Sequence, residues 1–230
     1  MGELKSWQKG FPAYPRSFND FPIDPTTTAL LLVDMQYYDA SPDYGIGLAL
    51  QKTYPDIANY LLPRIKVVIA NFQKLLKFFR KNKLRVFYAS FGASMPDASD
   101  MLPLRKMKSS ETPAFTTADF EYQILDELKP APGELVVSKA TRCAFIGTGL
   151  DHTLRMMGID TLAIGGTVAN ACVESTARGA SDYGYKTILI NDACASWTEQ
   201  DHNATMKTFH QFFGMVLDTD ELIEALSQKL

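Results

Sequence analysis

Two kinds of apolar spacing alternate along the chain. Short continuous runs come first: "TALLLVDM" (28–35), "LRVFYAS" (84–90), "ELVVSK" (134–139), "DTLAIGG" (160–166), "YKTILIN" (185–191) and "GMVL" (214–217). Runs of this length without polar interruption predict strands buried on both faces. Between them lie segments of helical spacing. The longest places Ile57, Leu61, Ile65, Val68, Phe72, Leu75, Leu76 and Phe79 on one face, with Pro63 set to kink or divide it. "GTGLDHTLRMMG" reads as a helix ending at Gly158, and "CVESTARGASDYG" as a helix with Gly184 in the C-terminal position. Another helix begins after "TEQD", and a last one follows "GMVL". Strands alternating with helices predict α/β class: three α-β-α layers around a mostly parallel sheet of about six strands.

Two segments depart from this alternation. Residues 1–27 carry Pro12, Pro15, Pro22 and Pro25 among four Phe/Tyr residues, which predicts an extended arm laid on a single domain of residues 28–230. From Phe91 to about Thr117 there is little periodicity, and loops of that length are commonly functional.

Composition narrows the class. The chain has 230 residues, 46% apolar and 21% charged, as a globular protein with one substantial core would. A net charge of −3, with no Lys/Arg run interleaved with aromatics, argues against a nucleic-acid surface. No uncharged apolar run approaches the roughly 20 residues needed to span a bilayer. The N-terminus has charges and prolines where a signal peptide needs an apolar core. Cys143, Cys172 and Cys194 cannot all pair internally, and none lies in a CxxC. A soluble, cytoplasmic protein with free thiols is expected, without nucleic-acid or membrane partners.

In parallel α/β folds ligands bind beyond the carboxyl ends of the strands. Asp34, Ser90, Lys139, the Gly166–Cys172 turn and Asp192 would stand there. An acid, a lysine and a thiol would then meet at one edge. Cys172 would sit where a strand gives way to a helix, and the helix dipole and Lys139 would lower its pKa. Asp34 would take the thiol proton and return it to a leaving amine. Standing alone, Asp34 could equally be an acid that terminates a strand.

"LLLVDMQ", the lysine closing "VVSK", and "GGTVANACVESTARGASDYGY" together resemble the isochorismatase-like cysteine hydrolases, over about residues 28–217. That superfamily includes nicotinamidases, N-carbamoylsarcosine amidohydrolases and ureidoacrylate or biuret hydrolases. The resemblance implies a catalytic triad of Asp34, Lys139 and Cys172. It also implies a cis peptide bond between Thr167 and Val168, and an oxyanion hole formed by the backbone N–H groups of Val168 and Cys172. The reaction implied is attack of Cys172 on a small amide or ureide, with water then cleaving a thioester. A homo-oligomer, dimer or tetramer, is implied in the same way. The sequence departs from the family at Ala169, where threonine is common, and at Gly179, where an acid follows the arginine. The metal-binding histidines of nicotinamidases have no counterpart in "ASFGASMPDASDM", and the first histidine in the chain is His152. No metal and no cofactor are therefore expected.

Substrate-pocket candidates are Gln36, Tyr37, Tyr38, Phe91, Phe115, Arg142 and Phe145. Gln36 could serve only to hold its loop. Tyr37 and Tyr38 could wall the pocket or pack beneath the N-terminal arm. Arg142 could bind a carboxylate through a bidentate pair or stand in solvent. His152, His202 and His210 lack ligand spacing, and "GTG" (147–149) is too short for a dinucleotide fingerprint. Two other functions remain open: a thiol-independent hydrolase of a vinyl ether, and a catalytically silent small-molecule binding protein.

Overall fold

The computed structural model describes residues 5–9, 20–102 and 115–230. Most of the N-terminal arm, including Pro12 and Pro15, and the middle of the 91–117 connection lie outside the described residues. The strands are β1 (Thr28–Val33), β2 (Arg85–Phe91), β3 (Leu135–Lys139), β4 (Thr161–Thr167), β5 (Lys186–Ala195) and β6 (Met215–Leu217). They form one sheet in the order β3-β2-β1-β4-β5-β6, and every pair is parallel. Expected as mostly parallel, the sheet is wholly so.

The helices are α1 (Tyr37–Ala40), α2 (Gly45–Thr53), α3 (Pro55–Lys81), α4 (Leu150–Met156), α5 (Glu174–Asp182), α6 (Glu199–Phe212) and α7 (Thr219–Ser227). Each crossover returns the chain to the start of the next parallel strand, so helices cover both faces and the central strands are largely apolar. All six residues of β1 are buried. Leu30 and Leu32 face one apolar layer with Phe72 and Leu75 of α3, while Leu31 and Val33 face the other with Val173 and Ala177. Burying one such side chain contributes about 1.5–3 kcal/mol. Pro63 does not divide α3, which continues from Pro55 to Lys81. Among the described residues, no helix is long and apolar enough to cross a membrane.

The described start of the arm lies against the domain. Trp7 is buried and meets His210 of α6 edge-on at 5.1 Å, and Lys5 pairs with Asp218 at 3.0 Å and Glu221 at 2.5 Å.

The strand order reverses direction at β1 and β4. From β1 the chain winds outward to β2 and β3, and from β4 outward to β5 and β6. Crossovers on either side of that point diverge, which leaves a crevice at the carboxyl ends of β1 and β4.

Candidate active site

Three side chains meet at the crevice. Asp34 follows β1 directly. Its N–H still pairs with Ala89 at 2.8 Å, but its φ of 53° turns the chain out of the strand. The left-handed region is uncommon for a residue with a side chain, and Asp and Asn tolerate it best. Lys139 ends β3, opposite Phe91 of β2. Its ammonium donates to Asp34 Oδ2 at 2.8 Å and to the Thr141 carbonyl at 3.2 Å, and it stands 5.0 Å from the centre of the Phe91 ring. The ion pair is fully buried, the two side chains being 0% and 1% exposed. Asp34 Oδ1 is buried as well, with no hydrogen-bond partner assigned to it among the described residues.

Cys172 is half-buried and enters from β4. The Thr167–Val168 peptide bond is cis. Beyond it the Val168 carbonyl accepts from Ala171 at 3.0 Å and from Val173 at 3.4 Å. The chain winds there into a single π-helical turn, Ala169–Val173, before α5 begins. Such turns occur often at functional sites. Gly166 permits the close approach of β4 to β1: its φ is 134°, and a Cβ there would lie 2.0 Å from the Val33 carbonyl oxygen. Only glycine fits.

The electrostatics overturn one expectation. The strand–helix junction was expected to lower the Cys172 pKa, yet burial, followed by the negative charge of Asp34, raises it, and the opposing pull of Lys139 does not compensate. Burial likewise raises Asp34, against the pull of Lys139. Burial works against the charge on Lys139, but the negative charge of Asp34 beside it holds its pKa above the usual value. Burial and the charge of Asp34 thus oppose the thiolate that the helix terminus was expected to favour.

Among the pocket candidates, Tyr38, Phe91 and Phe115 gather in one apolar cluster, with Tyr38 stacked on Phe115 at 4.2 Å. The other four take different places. Gln36 is fully buried, and its amide bonds to both backbone groups of Phe91 and to the Tyr122 carbonyl, so it holds loops together. Tyr37 packs with Tyr44 and Phe120. Phe145 stacks on Tyr183, just past the end of α5, and meets Tyr185 at a tilt. Arg142 is exposed. Asp192 serves structure: its Oδ1 accepts from the N–H and hydroxyl of Thr219 at the start of α7, both at 2.8 Å. Among the described residues, no three His, Cys, Asp or Glu side chains cluster to hold a metal ion.

Tyr122 escaped the sequence reading. It ends a short 3₁₀ helix (Phe120–Tyr122) in the connection before β3 and lies in the field of Asp34 and Lys139. No periodicity marks it, because its position depends on contacts 86 residues away at Gln36.

A six-stranded parallel sheet with an acid, a lysine and a thiol at its switch point defines an α/β protein whose site lies at the carboxyl edge. Residues 28–221 match the isochorismatase domain, and the chain belongs to the isochorismatase family. It is similar to a cysteine hydrolase from Pseudomonas syringae pv. phaseolicola 1448A, at 26% identity and a TM-score of 0.80, covering 92% of this chain and 98% of that one. An isochorismatase family protein from Burkholderia thailandensis is 26% identical with a TM-score of 0.71, over 90% of this chain and 98% of that one. The fold is shared with N-carbamoylsarcosine amidase from Thermoplasma acidophilum, at 24% identity and a TM-score of 0.63, over 84% and 97% of the two chains.

Proposed function

We propose that this chain is a cysteine amidohydrolase that cleaves the C–N bond of a small amide or ureide without a metal. One observation carries it: Lys139 holds Oδ2 of a buried Asp34 at 2.8 Å, and the same carboxyl group interacts with the Cys172 thiol. As Sγ attacks the substrate carbonyl, its proton passes to Asp34 Oδ1, and the carbonyl oxygen becomes an oxyanion. The N–H groups of Val168 and Cys172 receive that charge, an interaction often worth most in acyl transfer. Collapse expels the nitrogen, which takes the proton from Asp34 and leaves as ammonia or an amine. Water then attacks the thioester, giving its proton to Asp34. The acid departs, and the proton returns to sulfur. Lys139 keeps Oδ2 fixed throughout and stabilises each state in which Asp34 is charged.

The test is ammonia release across a panel of small amides and ureides. Cys172→Ala and Asp34→Asn should each lower kcat by about 10³-fold or more. The family match favours one rival, a vinyl-ether hydrolase that uses Asp34 alone. Ammonia release that survives Cys172→Ala would exclude the thioester route, and cleavage of a vinyl ether by that variant would establish the rival.

A further inference from the structure

A third apolar cluster lies outside the two core layers, on loops beyond the carboxyl ends of β1 and β2. It contains Phe91, Ala93 and Phe115, with Tyr38 and Tyr122 packed against it. The two arms of the β2–β3 connection pair there, Ala93 N–H to the Phe115 carbonyl at 3.0 Å and Thr117 N–H to the Ala93 carbonyl at 2.8 Å. Phe91 meets the ion pair directly, its ring centre 5.0 Å from the Lys139 ammonium, and Tyr122 packs against the same cluster. One edge of the Tyr122 ring rests on Gly92, where a Cβ would meet Cδ2 at 2.8 Å, so glycine makes room for it. Its carbonyl accepts from Gln36 at 2.8 Å, and Gln36 holds Phe91, whose ring faces Lys139. The hydroxyl lies beside Ser138, in the field of Asp34 and Lys139. Though anchored at these points, Tyr122 remains half-exposed.

We infer that Tyr122 is a specificity-determining residue, its ring forming the wall against which the acyl group of the substrate lies, and that this wall suits a flat, apolar acyl group. The inference rests on Cys172 as nucleophile. The neighbouring aromatic surfaces are of the same kind: Tyr38 and Phe115 lie within 15° of parallel. The ammonium of Lys139 is already engaged by Asp34, Thr141 and the Phe91 face, so along this wall it offers little to a carboxylate. A flat apolar group instead gains from offset stacking on the ring.

Two neutral thiol reagents measure this without a known substrate: iodoacetamide and N-phenyliodoacetamide. Their rates at Cys172, read by peptide mass spectrometry, are each divided by the rate at free N-acetylcysteine. The aryl reagent should be favoured at Cys172. Tyr122→Ala should cut that preference about three- to tenfold, the factor an aromatic contact contributes, and Tyr122→Phe should preserve it. If Tyr122→Ala does not fold, Gly92→Ala displaces the same ring without removing it and should give the same loss. An unchanged or increased preference overturns the inference, and so does a Cys172 that neither reagent reaches. Asp34→Asn in the same assay separates the two readings. A pH midpoint for labelling that fails to move removes the proton acceptor from the mechanism, whatever Tyr122 does.

Discussion

Lys139→Met removes the ammonium and leaves the Asp34 carboxyl group in a site where its side chain is 1% exposed. Removing one partner of a buried pair costs about 3–5 kcal/mol, because the remaining charge is uncompensated. In urea that should lower the unfolding midpoint by roughly 1–2 M at pH 8. The loss should shrink in acid. Burial already raises the folded-state pKa of Asp34, and without Lys139 it rises further. The folded variant therefore binds a proton at pH values where the unfolded chain, with a carboxyl pKa of about 3.9, has released it. Stability contributed by that proton is full below the unfolded pKa and declines as pH rises toward the folded one. Each unit of difference is worth about 1.4 kcal/mol. Urea melts at pH 8 and pH 5.5, followed by circular dichroism, should show the variant approaching wild type at the lower pH. Asp34→Asn combined with Lys139→Met should recover most of the loss at pH 8, since neither buried charge remains. A single variant as stable as wild type at both pH values would show that the pair carries no buried charge, and the proposed mechanism would lose its base.

Labelling of Cys172 by iodoacetamide should titrate above the ordinary thiol range; Lys139→Ala should move the midpoint higher and Asp34→Asn lower, as the signs of their charges require. A midpoint below that range in wild type would contradict the burial argument. His202 is buried in α6 with Nε2 2.8 Å from Asn191 Oδ1, and burial lowers its pKa from 6.5 to about 4. The unfolded chain takes up this proton below pH 6.5 and the folded one only near pH 4, so wild type should lose about 2 kcal/mol between pH 7 and 5 that His202→Gln does not. Equal pH slopes in urea melts of the two proteins would exclude that contribution. Gly179→Ala, inside α5, would ordinarily stabilise a helix by about 1 kcal/mol. Here the new Cβ would lie 2.7 Å from Cys143 Sγ, so overpacking should reverse the sign, at about 1–3 kcal/mol, and Cys143→Ala in the same chain should relieve it in thermal melts.

The alternation of buried runs with helical spacing was legible because each period reports a different geometry. β1 and α3 sit where their apolar patterns put them. Asp34, Lys139 and the thiol were legible as candidates because residues at strand ends in a parallel sheet share one edge. The pocket was not. Phe145 and Phe91 are both phenylalanines near loop ends, yet one is packed behind α5 and the other faces Lys139. Gln36 resembled a substrate ligand in sequence but is consumed by backbone groups 55 and 86 residues away.

Sequence alone determined the strand order of events along the chain, the class of fold and the chemical groups at the carboxyl edge, since periodicity and residue type are local properties. Tertiary structure decided the ionisation of those groups. Asp34 and Lys139, 105 residues apart, become a buried pair, and burial of Cys172 beside Asp34 raises the thiol pKa where the helix terminus suggested a lowering. The cost of a charge depends on how much water surrounds it, and only the packed chain sets that.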